Sequence, residues 1–316
     1  MADKRTIAVV GATGVQGGGL ARAILEDKRE TYAVRALTRK PDSEKAQALA
    51  ELGAEVVAAD LDDMQSLLRA FDGCYGAFCV TAFWEHFSPE KELAQAERMA
   101  DAARRTGLEH AIWSTLEDTR RFVPLDDDRM PTLMGRYKVP HYDAKGEADI
   151  LFTDRGVPTT LYRTSFYWDN LIHFGMGPRQ QPDGSLAIAF PMADKRLPGM
   201  AGADIGKCAY GLFKRGDEFI GKTVGVAGDF LTGAQMAAGL SKALGREVRY
   251  NDVPADVFRA WDFPGAQDLG NMFRFKRDFE AAYCGNRNIE LARELNPELQ
   301  SFNVWLERHR HEIPIT

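Results

Sequence analysis

His141 and Lys145 stand four residues apart in the stretch Pro140-His-Tyr-Asp-Ala-Lys-Gly146. On a helix that spacing stacks two side chains on one face. An ammonium beside a titratable group favours ionisation of an acid, and an imidazole titrates near neutrality, so the pair is suited to passing a proton to a heteroatom. Tyr142 offers a second acid, turned about a quarter-turn from the Lys145 face. His141 is either the proton donor itself or a packing and hydrogen-bonding residue; the spacing permits both. Upstream, Ser114-Thr115 ends an apolar run, and its hydroxyls either polarise a substrate or satisfy the backbone of a strand end.

A second chemical feature lies near the N-terminus. Thr6-Ile-Ala-Val-Val10 is an apolar run, and Gly11, Ala12, Thr13, Gly14, Val15, Gln16 and Gly17 follow it, ahead of the helix-patterned stretch from Leu20 to Glu26. Strand, glycine turn and helix in that order build a site for a dinucleotide phosphate. Gly11 permits the tight turn, Gly14 admits a pyrophosphate, and Gly17 lets helix and strand pack closely. The spacing is G-x-x-G-x-x-G, that of the short-chain dehydrogenase/reductase branch.

The end of the second strand carries Thr38-Arg39-Lys40 where an NAD-preferring site places an acid. A guanidinium makes paired charge-assisted bonds to a 2′-phosphate, and no carboxylate in this run opposes it, so NADP(H) is the expected cofactor. Asp60-Leu61, ending strand three, suits an adenine edge: a carboxylate for the exocyclic amine and an apolar side chain for the ring.

These groups need a scaffold, and the first half supplies it by alternating strand and helix patterns. Strands are expected at Tyr32 to Thr38, Ala54 to Ala58, Tyr75 to Val80, His110 to Ser114 and Val157 to Tyr162. Helices are expected from Ser43 to Gly53, Asp62 to Phe71, Ser88 to Thr106 and Val139 to Asp154, the third opened by Ser88-Pro89 and stopped by Gly107. The implied fold is α/β, a Rossmann-type doubly wound parallel sheet with ligands beyond the carboxyl ends of its strands. Residues 1–162 form that domain in this reading, and 163–316 a smaller α/β lobe over the open edge of the sheet, from which the chain may re-enter it. Helix patterns recur at Asp204 to Phe213 and Thr232 to Leu244, with short strands at Lys222 to Val226 and Val248 to Val253. The loop-like segment Glu117 to Pro140 holds Asp126-Asp-Asp128, a solvated acidic run with no flanking metal ligand.

The 316 residues are 45% hydrophobic and 27% charged, with a formal charge of −6 and no long basic run, which argues against nucleic-acid binding. Cys74, Cys79, Cys208 and Cys284 form neither a C-x-x-C pair nor a zinc spacing and read as small buried residues. No stretch approaches the roughly eighteen apolar residues of a membrane span. Met1-Ala-Asp-Lys-Arg5 leads straight into the first strand with no room for a signal peptide, so a reducing, cytoplasmic setting is expected, with no metal and no membrane partner.

The chain resembles the NmrA-like branch of the atypical short-chain dehydrogenases, including its NADPH-sensing members. The resemblance is carried by the glycine loop through Gly18, Val80-Thr81 with Trp84-Glu85, His141 to Glu147, Tyr167-Trp-Asp-Asn170, and the run from Phe263 to Phe275. It implies NADP(H) in a cleft between two lobes, lined by the glycine loop, Thr38, Arg39, Lys40, Ser43, Asp60, Leu61, Val80, Thr81, Ala82, Phe83, Trp84, Glu92, Ser114, Lys145, Tyr167, Trp168, Asp169 and Asn170. Working reductases of the wider group carry tyrosine where this chain has His141, and the histidine is similar to the sensor pattern. Two functions follow. One is reduction of a small C=O, C=N or quinone-like substrate, with Phe166, Tyr167, Trp168, Phe174 and Met176 as an apolar roof or as simple core. The other is redox sensing, with a protein partner or a homodimer reading the bound cofactor.

Overall fold

The computed structural model describes residues 4–29 and 31–316, so the lead Met1–Asp3 lies outside the described residues. Strand and helix alternate through β1 (Arg5–Val10), α1 (Val15–Leu25), β2 (Tyr32–Thr38), α2 (Glu44–Glu51), β3 (Glu55–Ala58), α3 (Met64–Phe71) and β4 (Gly76–Cys79). The short α4 (Phe83–His86) precedes α5 (Pro89–Thr106), β5 (His110–Thr115), α6 (Pro140–Thr153) and β6 (Thr159–Arg163). The helix ends follow local chemistry. The Ser88 hydroxyl accepts from the Lys91 N–H, Pro89 needs no partner at the first position, and Gly107 turns left-handed at φ 71° to close α5.

Beyond β6 come β7 (Phe166–Tyr167), α7 (Asn170–His173), β8 (Arg179–Gln180), β9 (Leu186–Ala189), β10 (Arg196–Met200), α8 (Gly202–Lys214), β11 (Thr223–Gly225) and β12 (Asp229–Thr232). The chain ends through α9 (Gly233–Leu244), β13 (Val248–Asn251), α10 (Ala255–Arg259), α11 (Ala266–Asp278), α12 (Glu280–Gly285), α13 (Ile289–Leu295) and α14 (Phe302–His309).

The main sheet has seven parallel strands in the order β11-β6-β5-β4-β1-β2-β3, so strand order reverses between β1 and β4. That reversal opens a crevice at the carboxyl ends of those two strands, where a doubly wound fold holds its ligand. The chain re-enters this sheet late: β11 pairs Thr223 with Leu161 along β6, and α8 packs on α1. The approach of α8 to α1 is close because glycines meet there; a Cβ on Gly206 would lie 2.0 Å from the Leu20 nitrogen. This contact also explains why α1 begins at Val15, ahead of the apolar residues that suggested a start at Leu20. Glycines 17 to 19 are poor helix formers alone, but they sit in the first turns where the neighbouring backbone presses closest.

Two three-stranded sheets, β12-β10-β7 and β13-β9-β8, build the smaller lobe with α9 to α11 and α14. The apolar core forms one body on each face of the main sheet and a third inside this lobe, around Phe190, Phe273, Phe275 and Trp305. All four cysteines are buried and free. Among the described residues no helix is long and apolar enough to cross a membrane, and no acidic, histidine or cysteine cluster is arranged to hold a metal.

Candidate functional site

A cleft of about 810 Å³ runs from the glycine turn, past the ends of β2, β3 and β4, to the smaller lobe. Its floor is the glycine loop, and the fit to a pyrophosphate is read from the backbone. Gly11 adopts φ 64°, which a side chain resists. A Cβ on Gly17 would sit 2.5 Å from the Gly11 carbonyl oxygen, and one on Gly14 would sit 3.2 Å from the same atom. Gly14 caps α1 without a side-chain bond, so the first N–H groups of an eleven-residue helix face the cleft.

The expected cofactor residues divide into two layers. Gly11, Thr13, Gly14, Val15, Gln16, Gly17, Thr38, Arg39, Lys40, Ser43, Asp60, Leu61, Val80, Thr81, Ala82, Phe83, Trp84, Lys145, Tyr167 and Asn170 line the cleft. Ala12, Glu92, Ser114, Trp168 and Asp169 lie behind its wall. Ala12 is wholly buried under the turn. The Ser114 hydroxyl donates to Gln16 Oε1 at 2.8 Å, and Gln16 Nε2 donates to the Tyr167 hydroxyl at 2.7 Å, so Ser114 braces the loop against the smaller lobe. Its neighbour Thr115 donates to Asp149 at 2.5 Å, which leaves neither hydroxyl free for a substrate. Trp168 packs against Phe302 and Trp305 in the core, while Phe166, Tyr167, Phe174 and Met176 do roof the cleft. The Asp169 carboxylate accepts from the Gly202 N–H at 2.7 Å.

Arg39 is not free of carboxylates. α4 brings Glu85 across the cleft mouth, and its Oε2 accepts from Arg39 Nη2 at 2.6 Å with both side chains exposed. The Thr38-Arg39-Lys40 run holds no acid, but a residue 46 positions on supplies one.

Lys145 and His141 reach the cleft from one face of α6 because Asp143 anchors that helix. Its carboxylate accepts from the backbone N–H groups of Thr119, Lys138 and Val139 and from the Thr119 hydroxyl. The preceding loop is fastened by Lys138, whose ammonium donates to the carbonyls of Leu125, Asp127 and Met130, so Asp126-Asp-Asp128 sits on a tethered turn.

The Lys145 ammonium lies 2.7 Å from Glu92 Oε1 and donates to Thr81 Oγ1 at 2.6 Å; the Thr81 hydroxyl in turn donates to Glu92 at 2.5 Å. Burial alone would raise the Glu92 carboxyl, but Lys145 and hydrogen bonds from its neighbours outweigh this and hold it down at about 2. Glu92 therefore fixes Lys145 from below. Tyr142 is placed differently: its hydroxyl pairs with Tyr283 at 3.1 Å, and burial pushes the phenol well above its ordinary range. Lys145 does not acidify it.

The His141 ring is gripped by a residue the sequence did not single out. Nδ1 lies 2.6 Å from Asp268 Oδ1, and the His141 backbone N–H donates to Asp268 Oδ2 at 3.1 Å. A carboxylate on Nδ1 selects the tautomer protonated there and leaves Nε2 as the working nitrogen. Trp84 packs 4.7 Å from the ring centroid and Phe83 5.9 Å. Leu269, Met272 and Lys276 of α11 line the same cleft. Their i, i+3, i+7 spacing marks one helical stripe, and a lysine in that apolar stripe was the available signal for Lys276.

Strand order and glycine turn together define a Rossmann-type α/β protein. The chain belongs to the NmrA-like family, whose sequence model matches residues 3–306. Among its relatives, the NmrA-like family domain-containing oxidoreductase FrzB of Cladobotryum sp. is 28% identical over 296 residues, covering 88% of this chain and 85% of the relative. The solved structure of NmrA, a negative transcriptional regulator, superposes with a TM-score of 0.79 at 23% identity, over 96% of this chain and 95% of NmrA. NmrA is also solved with NADP and with NAD. The Citrobacter sp. triphenylmethane reductase, complexed with NADP(H), gives a TM-score of 0.75 at 18% identity over 97% of this chain and 99% of that one.

Proposed function

We propose that the protein is an NADP(H)-dependent oxidoreductase that reduces a small conjugated C=O, C=N or quinone-like substrate. One observation carries this reading: a carboxylate-oriented imidazole and an ion-paired lysine share one aromatic-walled cleft with a phosphate-accepting glycine turn. The relatives named as oxidoreductases and the neighbours solved with NADP(H) support it.

The glycine loop and the α1 N-terminus hold the pyrophosphate, and Arg39 with Lys40 and Ser43 meets the 2′-phosphate. Asp60 and Leu61 take the adenine. Lys145, fixed by Glu92 and Thr81, donates to the ribose hydroxyls and keeps a positive charge where negative charge develops. The bound cofactor supplies a hydride and its electron pair. His141 handles the proton at the substrate heteroatom, with Asp268 holding its ring in place. Phe83, Trp84, Phe166 and Met176 exclude water and select a flat apolar substrate.

A second reading, a cofactor-gated regulator, is favoured by the Arg39–Glu85 pair. A 2′-phosphate at Arg39 competes with Glu85, and Glu85 shares α4 with Trp84, which packs on His141. Cofactor identity is thus coupled to a surface helix that a protein partner can read. Consumption of NADPH by purified protein across quinones, imines and aldehydes tests the first reading; sedimentation with and without cofactor tests the second.

A further inference from the structure

Lys276, on α11, is a buried lysine. It is 2% exposed, it lines the cleft, and its amine makes no hydrogen bond or ion pair among the described residues. Instead the nitrogen lies over three rings, 5.5 Å from the Tyr142 centroid, 5.3 Å from Tyr283 and 5.6 Å from Phe273. An ammonium that faces the cleft from a buried stem and finds no protein acceptor there has a use where a ligand brings the acceptor.

The charges around it do not satisfy it either. Arg287 and Glu117 stand nearby, but they are a buried bidentate pair occupied with each other, and Arg287 covers the Tyr283 ring. The facing groups from α6 and α12 are the phenols of Tyr142 and Tyr283, bonded to one another. On its own helix, Asp268 is committed to His141. Burial, assisted by Arg287 and opposed by Glu117, brings the amine down to about 7, so it both holds and releases a proton near neutrality.

His141 and Lys276 are both set against the Tyr142 ring, one beside it at 4.8 Å between centroids and the other over its face. The cleft therefore presents two proton-bearing groups to one substrate. A simple imine or ketone uses one. A quinone or an enone also takes up a single proton, but at a far oxygen, because the electron pair that arrives at one end travels through the conjugated system to an oxygen at the other.

We propose that Lys276 is a catalytic residue that receives the far oxygen of a conjugated oxygen acceptor, a quinone or an enone, and protonates it. This rests on the reductase reading above. With a quinone, the C–H bond of the reduced nicotinamide breaks and its hydride, with both electrons, forms an O–H bond at the near carbonyl oxygen, which His141 positions; the far C=O becomes a phenolate, and an O–H bond forms there as one N–H bond of the Lys276 ammonium breaks. The quinone is reduced by two electrons, the nicotinamide is oxidised by two, and the neutral amine recovers its proton from water. A substrate that arrives as an iminium cation gains nothing from this lysine and is repelled by it.

The test uses the full-length protein and its Lys276→Met variant, which keeps the volume of the side chain and removes the nitrogen. 2-Naphthol serves as a redox-inert mimic of the phenolic product, and its binding in the presence of NADP+ is measured by calorimetry from pH 5 to pH 9. A desolvated charge-assisted bond predicts binding about 10- to 100-fold weaker in the variant, with a proton-linked step near neutrality in the wild type alone. Equal binding by the two proteins overturns the proposal. Turnover of 2-methyl-1,4-naphthoquinone and of N-methyl-3,4-dihydroisoquinolinium is compared in parallel. The ratio of their kcat/KM values, quinone over iminium, should fall at least about tenfold in the variant through kcat for the quinone. An unchanged ratio overturns it. If the wild type turns over neither acceptor, the reductase reading fails, and the 2-naphthol titration still decides whether Lys276 binds a phenolic oxygen.

Discussion

His141 and Asp268 are 127 residues apart in the chain, yet Nδ1 and Oδ1 meet at 2.6 Å, joining α6 of the main sheet to α11 of the smaller lobe. The same carboxylate also takes the His141 backbone N–H. The imidazole is thus fixed in tautomer and direction by α11, and the proposed proton site depends on this contact between α6 and α11.

Removing the ring and freeing the ring have different consequences. His141→Phe should lower kcat by the roughly 10²–10⁴-fold typical of a lost general acid while NADPH affinity holds. Asp268→Asn leaves the imidazole but no longer dictates which nitrogen faces the cleft, and should cost about 10²-fold through misplacement. Steady-state kinetics with NADPH titrations decide both; wild-type kcat in His141→Phe contradicts the assignment.

Cofactor preference turns on Arg39 and Glu85. Arg39→Ala should weaken NADP(H) by about 1.5 to 3 kcal/mol and leave NAD(H) nearly untouched. Glu85→Gln should tighten NADP(H), because Arg39 no longer has a competing carboxylate; the exposed pair is worth at most about 1 kcal/mol, which bounds the gain near fivefold. Titration calorimetry with both cofactors checks this, and equal loss of NAD(H) and NADP(H) in Arg39→Ala removes the phosphate role.

Gly14 has extended backbone, φ −92° and ψ −177°, which any residue adopts. Gly14→Val should therefore fold, with thermal unfolding close to wild type, and lose NADPH binding because a branched side chain fills the phosphate approach. Undiminished affinity contradicts the placement of the pyrophosphate.

How much of this was legible in the sequence follows from the range of each interaction. The caps of α5, the glycine turn and the strand alternation are local, written within a few residues of where they act. Lys145 was legible because its partner spacing is helical, but its anchor Glu92 needed the packing of α5 on α6. Asp268 and Glu85 act across contacts that no local pattern encodes, and Lys276 left only the local trace of a lysine in an apolar helical stripe. Trp168 shows the opposite error of proximity: its neighbours Tyr167 and Asn170 face the cleft, while Trp168 turns into the core.

Two of the buried charges, Glu92 and Lys276, act on the pH response of stability in opposite senses. Glu92 sits at about 2, below its ordinary 4.5, so it stabilises the fold above pH 4.5 and that contribution is lost as pH falls toward 2. Glu92→Gln strands Lys145 and should cost about 3 to 5 kcal/mol at neutral pH. Lys276 behaves in reverse: at about 7 against an ordinary 10.5, the folded chain binds fewer protons than the unfolded one between those values. Its destabilising effect is greatest below pH 7 and fades as pH rises toward 10.5. Lys276→Met should raise Tm, most of all below pH 7, and a differential scan of both proteins across pH reads the effect directly; a lower Tm in the variant contradicts it.

The most direct test of the central claim is steady-state NADPH oxidation by the wild-type protein with quinones, imines and aldehydes, measured beside sedimentation with and without cofactor. Turnover of at least one conjugated acceptor is expected, faster with NADPH than with NADH, and lowered by His141→Phe and by Lys145→Met. Cofactor-dependent assembly with no turnover of any acceptor would contradict it and leave the regulator reading standing.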